Sequence, residues 1–315
     1  MLTINERVVE ASTSFIESNT IALDFSDMQR SHIIPVFTKD NEPLISHTDF
    51  ISITAEIVSN VFKDEVIIPA NIRVSHPVKG RIPDAKDKAA NQLQEWEKTI
   101  YYERMMFLIE IPSIRETIDG NVLNLTVGGV KSYTQDNISN KKGSDEHFKI
   151  FVGFKNQVCT NLCVWTDGLQ ANVKVKNSMQ LMQEIQKLLM NFQYEKQLAF
   201  LQKFPNYSLS EHQFATLIGR CKLYQYLPNI TKKEIPVLSF GDYQINTIAK
   251  DYYVDQSFCK QENGSINLWK VYNLFTGANK SSYIDGFIPR SVNATSFVHE
   301  LVESMDSGND SWFLN

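Results

Sequence analysis

The sequence predicts an α+β protein: an antiparallel meander sheet packed on a long helix, with a mostly helical C-terminal part. Three observations carry that expectation. Between residues 100 and 165 the apolar residues fall in strand-length runs parted by turn residues. From 178 to 204 they recur at spacings of three and four, and the remainder of the chain keeps the helical period. A chain of 315 residues with 43% hydrophobic and 21% charged residues has enough apolar surface for one large core or two modest ones.

Taken in order, residues 1–30 show scattered apolar positions without a clean period and predict short irregular elements. Ile33 to Phe37 reads as a strand closed by Asp40-Asn41-Glu42-Pro43. Ser46 with Asp49 three residues on is a capping-box start, and Phe50, Ile53, Ile57, Val58 and Val61 continue at helical spacing. Val66 to Val74 is a strand bent or left at an edge by Pro69. The prolines and glycine of Ser75–Pro83 forbid regular structure, and Pro83 suits the first turn of a helix over 84–98.

The centre of the chain supplies the sheet. Tyr101–Ile111 and Val122–Tyr133 read as a hairpin turning at Asp119-Gly120-Asn121, with an extended loop at Pro112–Ile118. Gly128-Gly129 suggests a bulge or the close approach of another group. After a polar loop at 135–146, Phe148–Phe154 and Val158–Trp165 supply two more strands, the second ending in a tight turn at Trp165-Thr166-Asp167-Gly168. The helix 178–204 is amphipathic through Leu181, Ile185, Leu188 and Phe192 and stops at Pro205. Further helices are expected from Ser210 to Pro228, over 243–254, 266–276 and 296–305. The chain thus divides into a sheet-containing core with its long helix (1–205), a helical part packed on that core (206–305) and a flexible acidic tail (306–315).

Composition excludes some functions and leaves others open. No apolar run reaches the roughly 20 residues of a membrane helix. The run MLTINERVVEAS lacks the basic-then-apolar pattern of a secretory leader. A reducing cytoplasm is therefore the expected compartment, and Cys159, Cys163, Cys221 and Cys259 are expected to be core thiols with no disulfide. Six scattered histidines form no metal-binding spacing, and no phosphate-loop, dinucleotide or serine-hydrolase signature occurs, so no metal, cofactor or catalytic residue is predicted.

A net charge of −5 argues against coating nucleic acid with the whole surface, but basic and aromatic residues cluster locally. Lys79, Arg81, Arg104, Lys131 and Lys149, with Tyr133 and Tyr102, would line one side of the sheet. Cations on phosphates and rings under bases are how a single strand is held. The same pattern is also that of an ordinary solvated sheet face. At the other end, Trp312 and Phe313 follow acidic residues and would suit a partner's groove, or would fold back on their own domain. An enzyme assembled from distant polar residues, with Asn156, Asn161, Asp167 and His76 as candidates, is a third reading.

The residues IEIPSI (109–114), LNLTVGGVKSY (123–133), FKIFVGFKNQVCTNLCVWTDG (148–168), SHPVKGRIPDA (75–85) and LWKVYNLFTGANKSSYID (268–285) are similar to the domain of unknown function 3871 family. More distantly, Val158-Cys159-Thr160-Asn161 and Tyr272-Asn273-Leu274-Phe275-Thr276, the latter departing at Phe275, resemble the phage- and plasmid-type domain of unknown function 932 family. The resemblance implies a mobile-element setting without an activity that transfers to named residues. Within it the leading expectation is a non-enzymatic protein that binds or anneals single-stranded nucleic acid. The alternative is an interaction factor that inhibits or recruits a host protein.

Overall fold

The computed structural model describes residues 14–31, 45–137 and 145–315. Its first described elements are β1 (Ile21–Ala22), α1 (Phe25–Ser31), α2 (His47–Val61), β2 (Asn71–Val74), β3 (Pro77–Arg81) and β4 (Lys98–Tyr102). The meander follows as β5 (Arg104–Ile118), β6 (Asn121–Ser132), β7 (Glu146–Asn156) and β8 (Leu162–Val175), with the single turn α3 (Tyr133–Asn137) between β6 and β7. Helices α4 (Ser178–Asn191) and α5 (Tyr194–Leu201) come next, then β9 (Ser208–Leu209), α6 (Glu211–Tyr224) and α7 (Asn229–Lys232). The chain closes with α8 (Asp242–Val254), β10 (Ile266–Asn267), α9 (Leu268–Ala278) and α10 (Ile284–Ser307). The fold is α+β, as the sequence predicts.

The main sheet has the order β1-β2-β5-β6-β7-β8, and every pairing in it is antiparallel. Asp119 and Gly120 both take positive φ (48° and 76°) at the β5–β6 connection, which is the hairpin geometry the Asp-Gly pair favours. Strand β5 does not stop at Ile111. It runs through Pro112 to Ile118 with a register break between Ile111 and Arg115, since an irregularity is where a strand tolerates proline.

Period two sends alternate side chains to opposite faces, and both faces are covered. Met105, Phe107, Ile109, Val127, Ile150 and Val152 join the large core under α2 and α4. Met106, Leu108, Val130, Phe151 and Val164 meet Phe15, Ile16 and the first turns of α10 through Ile284, Phe287 and Ile288. The open sheet face expected for a nucleic-acid platform therefore does not exist, because α10 begins at Ile284, twelve residues before the predicted start at 296, and lies across it.

The capping box of α2 forms as expected, with Ser46 Oγ accepting from the Asp49 amide at 3.0 Å and Asp49 Oδ2 accepting from the Ser46 amide at 2.9 Å. Phe50 from this helix explains Gly129, whereas Gly128 faces the Phe107 carbonyl and the Phe151 ring. No register break occurs at Gly128-Gly129, and a Cβ on Gly129 would lie 2.3 Å from the Phe50 ring. Full burial of that ring contributes about 1.5–3 kcal/mol, which a side chain at 129 would forfeit.

Several expectations are corrected. The segment 84–98 forms three isolated 3-10 turns instead of a helix: Ala85 and Ala89 offer little to bury and Trp96 is left 71% exposed. The long helix 178–204 breaks at Phe192, whose ψ of 121° is extended, and resumes in a new direction as α5. The 306–315 tail is packed. Phe313 is fully buried between Tyr224 and Phe297, so it is already occupied by its own domain. Trp312 takes the Arg220 guanidinium on its ring at 4.9 Å. The 33–37 strand lies outside the described residues, as does most of the 135–146 loop.

Helix α9 organises the C-terminal part. Trp269, Val271, Tyr272, Phe275 and their neighbours are buried on every side, so this helix is surrounded by others instead of bathing one face. Asn267 caps it by accepting from the Lys270 amide at 2.8 Å, and its Nδ2 donates to Asp119 Oδ2 at 3.0 Å, tying the helix to the β5–β6 turn.

Candidate functional site

The seven residues expected to form one basic, aromatic surface are held apart. Lys79 and Arg81 lie on the separate β3–β4 ribbon, and Arg81 donates to the Lys88 carbonyl. Arg104 and Lys149 share the α10 side of the main sheet, where both engage Asp285 in the first turn of that helix: Arg104 ion-pairs with its carboxylate and Lys149 donates to its carbonyl. Burial lowers the Lys149 pKa, and the Asp285 charge opposes that shift. These two cations clamp the covering helix down. Lys131 is on the opposite face, fully buried, with its ammonium 2.8 Å from Glu146 Oε2 and 4.0 Å from the centre of the Phe148 ring. Tyr133 is buried beside it, stacked on His47 at 4.5 Å, and Tyr102 is buried as well.

The candidates for a dispersed enzyme site separate likewise. Asn156 and Asn161 belong to a polar seam where the β7–β8 turn meets α9. Asn156 Nδ2 donates to Asn273 Oδ1 at 3.2 Å, and Asn161 Nδ2 donates to the Asn273 carbonyl at 3.0 Å. The turn carries Thr160 at φ 59°, the left-handed region, so Cys159 lies in a turn and only Cys163 lies in a strand. Burial pushes the Cys159 thiol up to about 11 and the Cys163 thiol to about 12, which suits inert packing and not a nucleophile. His76 is exposed in the link between β2 and β3. Among the described residues no group of three or more His, Cys, Asp or Glu side chains could hold a metal.

Asp167 reaches a cavity. The segment Trp165-Thr166-Asp167-Gly168 is not a terminal turn but a kink inside β8. Pairing jumps from Gly153 opposite Val164 to Phe151 opposite Leu169, so four residues stand against Val152. Such an irregularity re-aims side chains. Gly168 is required there, because a Cβ would fall 2.2 Å from the Val152 carbonyl oxygen. The kink turns Trp165 toward α5 and the middle of α10, where its ring meets Phe200 edge-on at 4.3 Å and His299 at 5.5 Å, while Phe200 and His299 lie 4.0 Å apart.

Together they wall a cavity of about 460 Å³, within the roughly 300–1,000 Å³ of small-molecule sites. The break at Phe192 decides what α5 presents to it. Lys196, Ala199 and Phe200 from α5, with Lys203 from the turn that follows it, are spaced at zero, three, four and seven and line the space along one stripe. Two lysines against Asp167 leave the lining with a formal surplus of one positive charge (+2 − 1). Burial lowers the His299 pKa, so at pH 7 the imidazole is a neutral part of the wall.

Gln197 sets this cavity apart. It is 4% exposed, it lines the space, and among the described residues neither its Oε1 nor its Nε2 has a hydrogen-bond partner. A buried amide without partners costs about 1–3 kcal/mol for each unmet group. Another cavity of about 490 Å³, beside β1 and β2, is lined by Asp24, Asp27, the exposed Asn71 and apolar residues without an aromatic ring. It lacks the ring wall and the bare amide.

Sequence reasoning assigned all of 178–204 to one structural helix and so missed Lys196, Gln197, Phe200 and Lys203. The signal was a change of character: Lys196, Ala199 and Lys203 continue the Leu181–Leu188 stripe in phase, but after Phe192 its apolar residues give way to cationic ones. His299 carried no signal, since its neighbours in the cavity lie about 100 or more residues away.

Among the described residues no helix is long and apolar enough to cross a membrane. A family model described as "Domain of unknown function, B. Theta Gene description (DUF3871)" matches residues 3–314. No curated protein and no solved structure matches the chain.

Proposed function

Because the chain belongs to the domain of unknown function 3871 family, whose description names no activity, we propose its function from geometry: it is a binding protein that holds a planar, negatively charged group in the cavity at the β8 kink. The observation that carries this reading is the combination of an aromatic wall (Trp165, Phe200, His299) with Lys196 and Lys203 on the same stripe. Rings offer faces to a flat ligand and the ammonium groups take its charge. The nucleic-acid expectation survives here in narrower form, as one unstacked base with its phosphate instead of a strand laid across a sheet. Binding is favoured over catalysis because the lining offers no nucleophile beside a base. The partner-docking reading loses support from the burial of Phe313, and a mobile-element setting stays a proposal resting on sequence resemblance.

Calorimetric titration with phenyl phosphate, the four nucleoside monophosphates and a thymidine dodecamer tests the reading. At least one should bind. Trp165→Ala and Phe200→Ala should each weaken that ligand at least tenfold, and Lys196→Ser with Lys203→Ser should weaken it and flatten its salt dependence. If none binds at millimolar concentration, or the aromatic variants leave binding unchanged, the cavity is not a ligand site.

A further inference from the structure

Resting on that reading, we infer that His299 is the third cation of the β8-kink site: binding of the planar anion draws a proton from solvent onto its imidazole, so the ligand is held more tightly as pH falls. Three observations carry this. The ring lines the cavity, and its side chain keeps 29% of its surface exposed. Its carboxylate neighbour does not hold it fast, since Glu303 Oε1 is 3.8 Å from Nε2, too far for a hydrogen bond. Lys203, one of the two lysines that would take the ligand's charge, is near enough for its field to act on the imidazole.

In the free protein the balance favours the neutral ring. Burial penalises the charged form and Lys203 repels it, while Glu303 and Glu300 on the same helix act the other way and are outweighed. Lys196 on α5 and Asp167 on β8 line the same space with opposite signs. A bound anion reverses the balance, because it offsets the field of Lys203 and sets a negative charge beside the imidazole. An opposite charge within about 4–6 Å favours the charged form. The coupling is coulombic and needs no hydrogen bond between ring and ligand. Phe200 accommodates the new charge, its ring lying 4.0 Å from the imidazole and 31° from parallel, and an aromatic face attracts a cation. Linkage works both ways, so whatever the anion does to the proton the proton does to the anion. At high pH the ring is neutral with or without ligand and affinity is lowest. As pH falls, the complex takes up a proton that the free protein does not yet hold, and affinity climbs until the free ring is protonated too.

The probe is 1-naphthalenesulfonate, a flat anion whose charge does not change between pH 5 and 8. Calorimetry at pH 8, 7, 6 and 5.5, at one salt concentration and in buffers of different ionisation heat, reads affinity and proton uptake together. Affinity is expected to rise about tenfold over that range, the effect of one pKa unit between free and bound ring, with net proton uptake on binding. His299→Gln should lose both the rise and the uptake, whatever its affinity at pH 8. A sulfonate that binds equally at every pH without proton uptake overturns the inference and leaves the planar-anion reading standing. Uptake that persists in His299→Gln belongs to other groups and overturns it as well. If neither the sulfonate nor phenyl phosphate binds, both ideas fall. If only phenyl phosphate binds, its own protonation is common to the two proteins, and equal uptake by them overturns the inference. The pH series on the unaltered protein needs no variant, so a misfolded His299→Gln does not shelter the idea, and His299→Phe then serves in its place.

Discussion

Asn273 and Gln197 are both buried amides on C-terminal helices, and the protein treats them in opposite ways. Asn273 Oδ1 accepts from Asn156 and its Nδ2 donates to the Trp269 carbonyl, while the Cys159 thiol lies 3.7 Å from Oδ1. The Gln197 side-chain amide bonds to nothing among the described residues. Asn161 is intermediate, its Nδ2 bonded to Asn273 and its Oδ1 unmet, but it lines none of the cavities described above. The contrast separates polar residues that hold the fold from a polar side chain that gives it no hydrogen bond among the described residues. The motifs around Val158–Asn161 and Tyr272–Thr276 belong to the first kind: 112 residues apart, Asn161 and Asn273 lock the β7–β8 turn onto the central helix.

The largest effect should come from the saturated side. Asn273→Leu keeps the volume but removes Oδ1, the acceptor of an Asn156 Nδ2 hydrogen inside the core, while Asn161 keeps the Asn273 backbone carbonyl. An unmet buried donor costs about 1–3 kcal/mol, so a loss of roughly 1–3 kcal/mol in urea unfolding is expected. A loss under about 0.5 kcal/mol would mean that the seam relaxes around the change and that the contrast with Gln197 is empty.

Gln197→Leu is the mirror experiment and should go the other way. Replacing a bare buried amide by an apolar side chain of similar size removes the desolvation cost and breaks no bond. The unliganded protein should therefore gain on the order of 1 kcal/mol. Opposite signs for the two Leu variants sharpen the comparison; destabilisation of both would mean that Gln197 has structural partners after all.

The sequence revealed most where one element decides its own shape. The capping boxes at Ser46 and Ser210, the Asp119-Gly120 turn and the four-strand order all follow from local spacing and were legible. The site was not, for three physical reasons. The β8 kink looks like a turn in sequence, because Thr-Asp-Gly suits either; only the continuing ladder beyond Leu169 tells them apart. The helix break at Phe192 has no proline or glycine to announce it. The burial that makes Gln197 exceptional comes from elements far along the chain, as does the α10 cover that closes the sheet face to nucleic acid. Lys131 shows the same limit, since a lysine on a predicted strand reads as surface until the buried Glu146 appears opposite it.

The smallest predicted effect concerns protons, since the cavity holds a titratable ring and the Asn273 seam does not. Burial keeps the His299 pKa below its ordinary range, Lys203 adds to the lowering, and the carboxylates of Glu303 and Glu300 pull it back up. Above the unfolded value of about 6.5 the imidazole is neutral in both states and the packing of His299 on Phe200 is fully kept. As pH falls below that value the unfolded chain takes up a proton more readily than the folded one. Stability therefore declines until the folded value is passed. His299→Phe preserves a ring against Phe200 and deletes the proton. Urea midpoints measured at pH 7, 6 and 5 should fall less steeply for His299→Phe than for the unaltered protein. Parallel slopes would show that Glu303 and Glu300 offset the burial completely, leaving the ring as indifferent to pH as the amides of the seam.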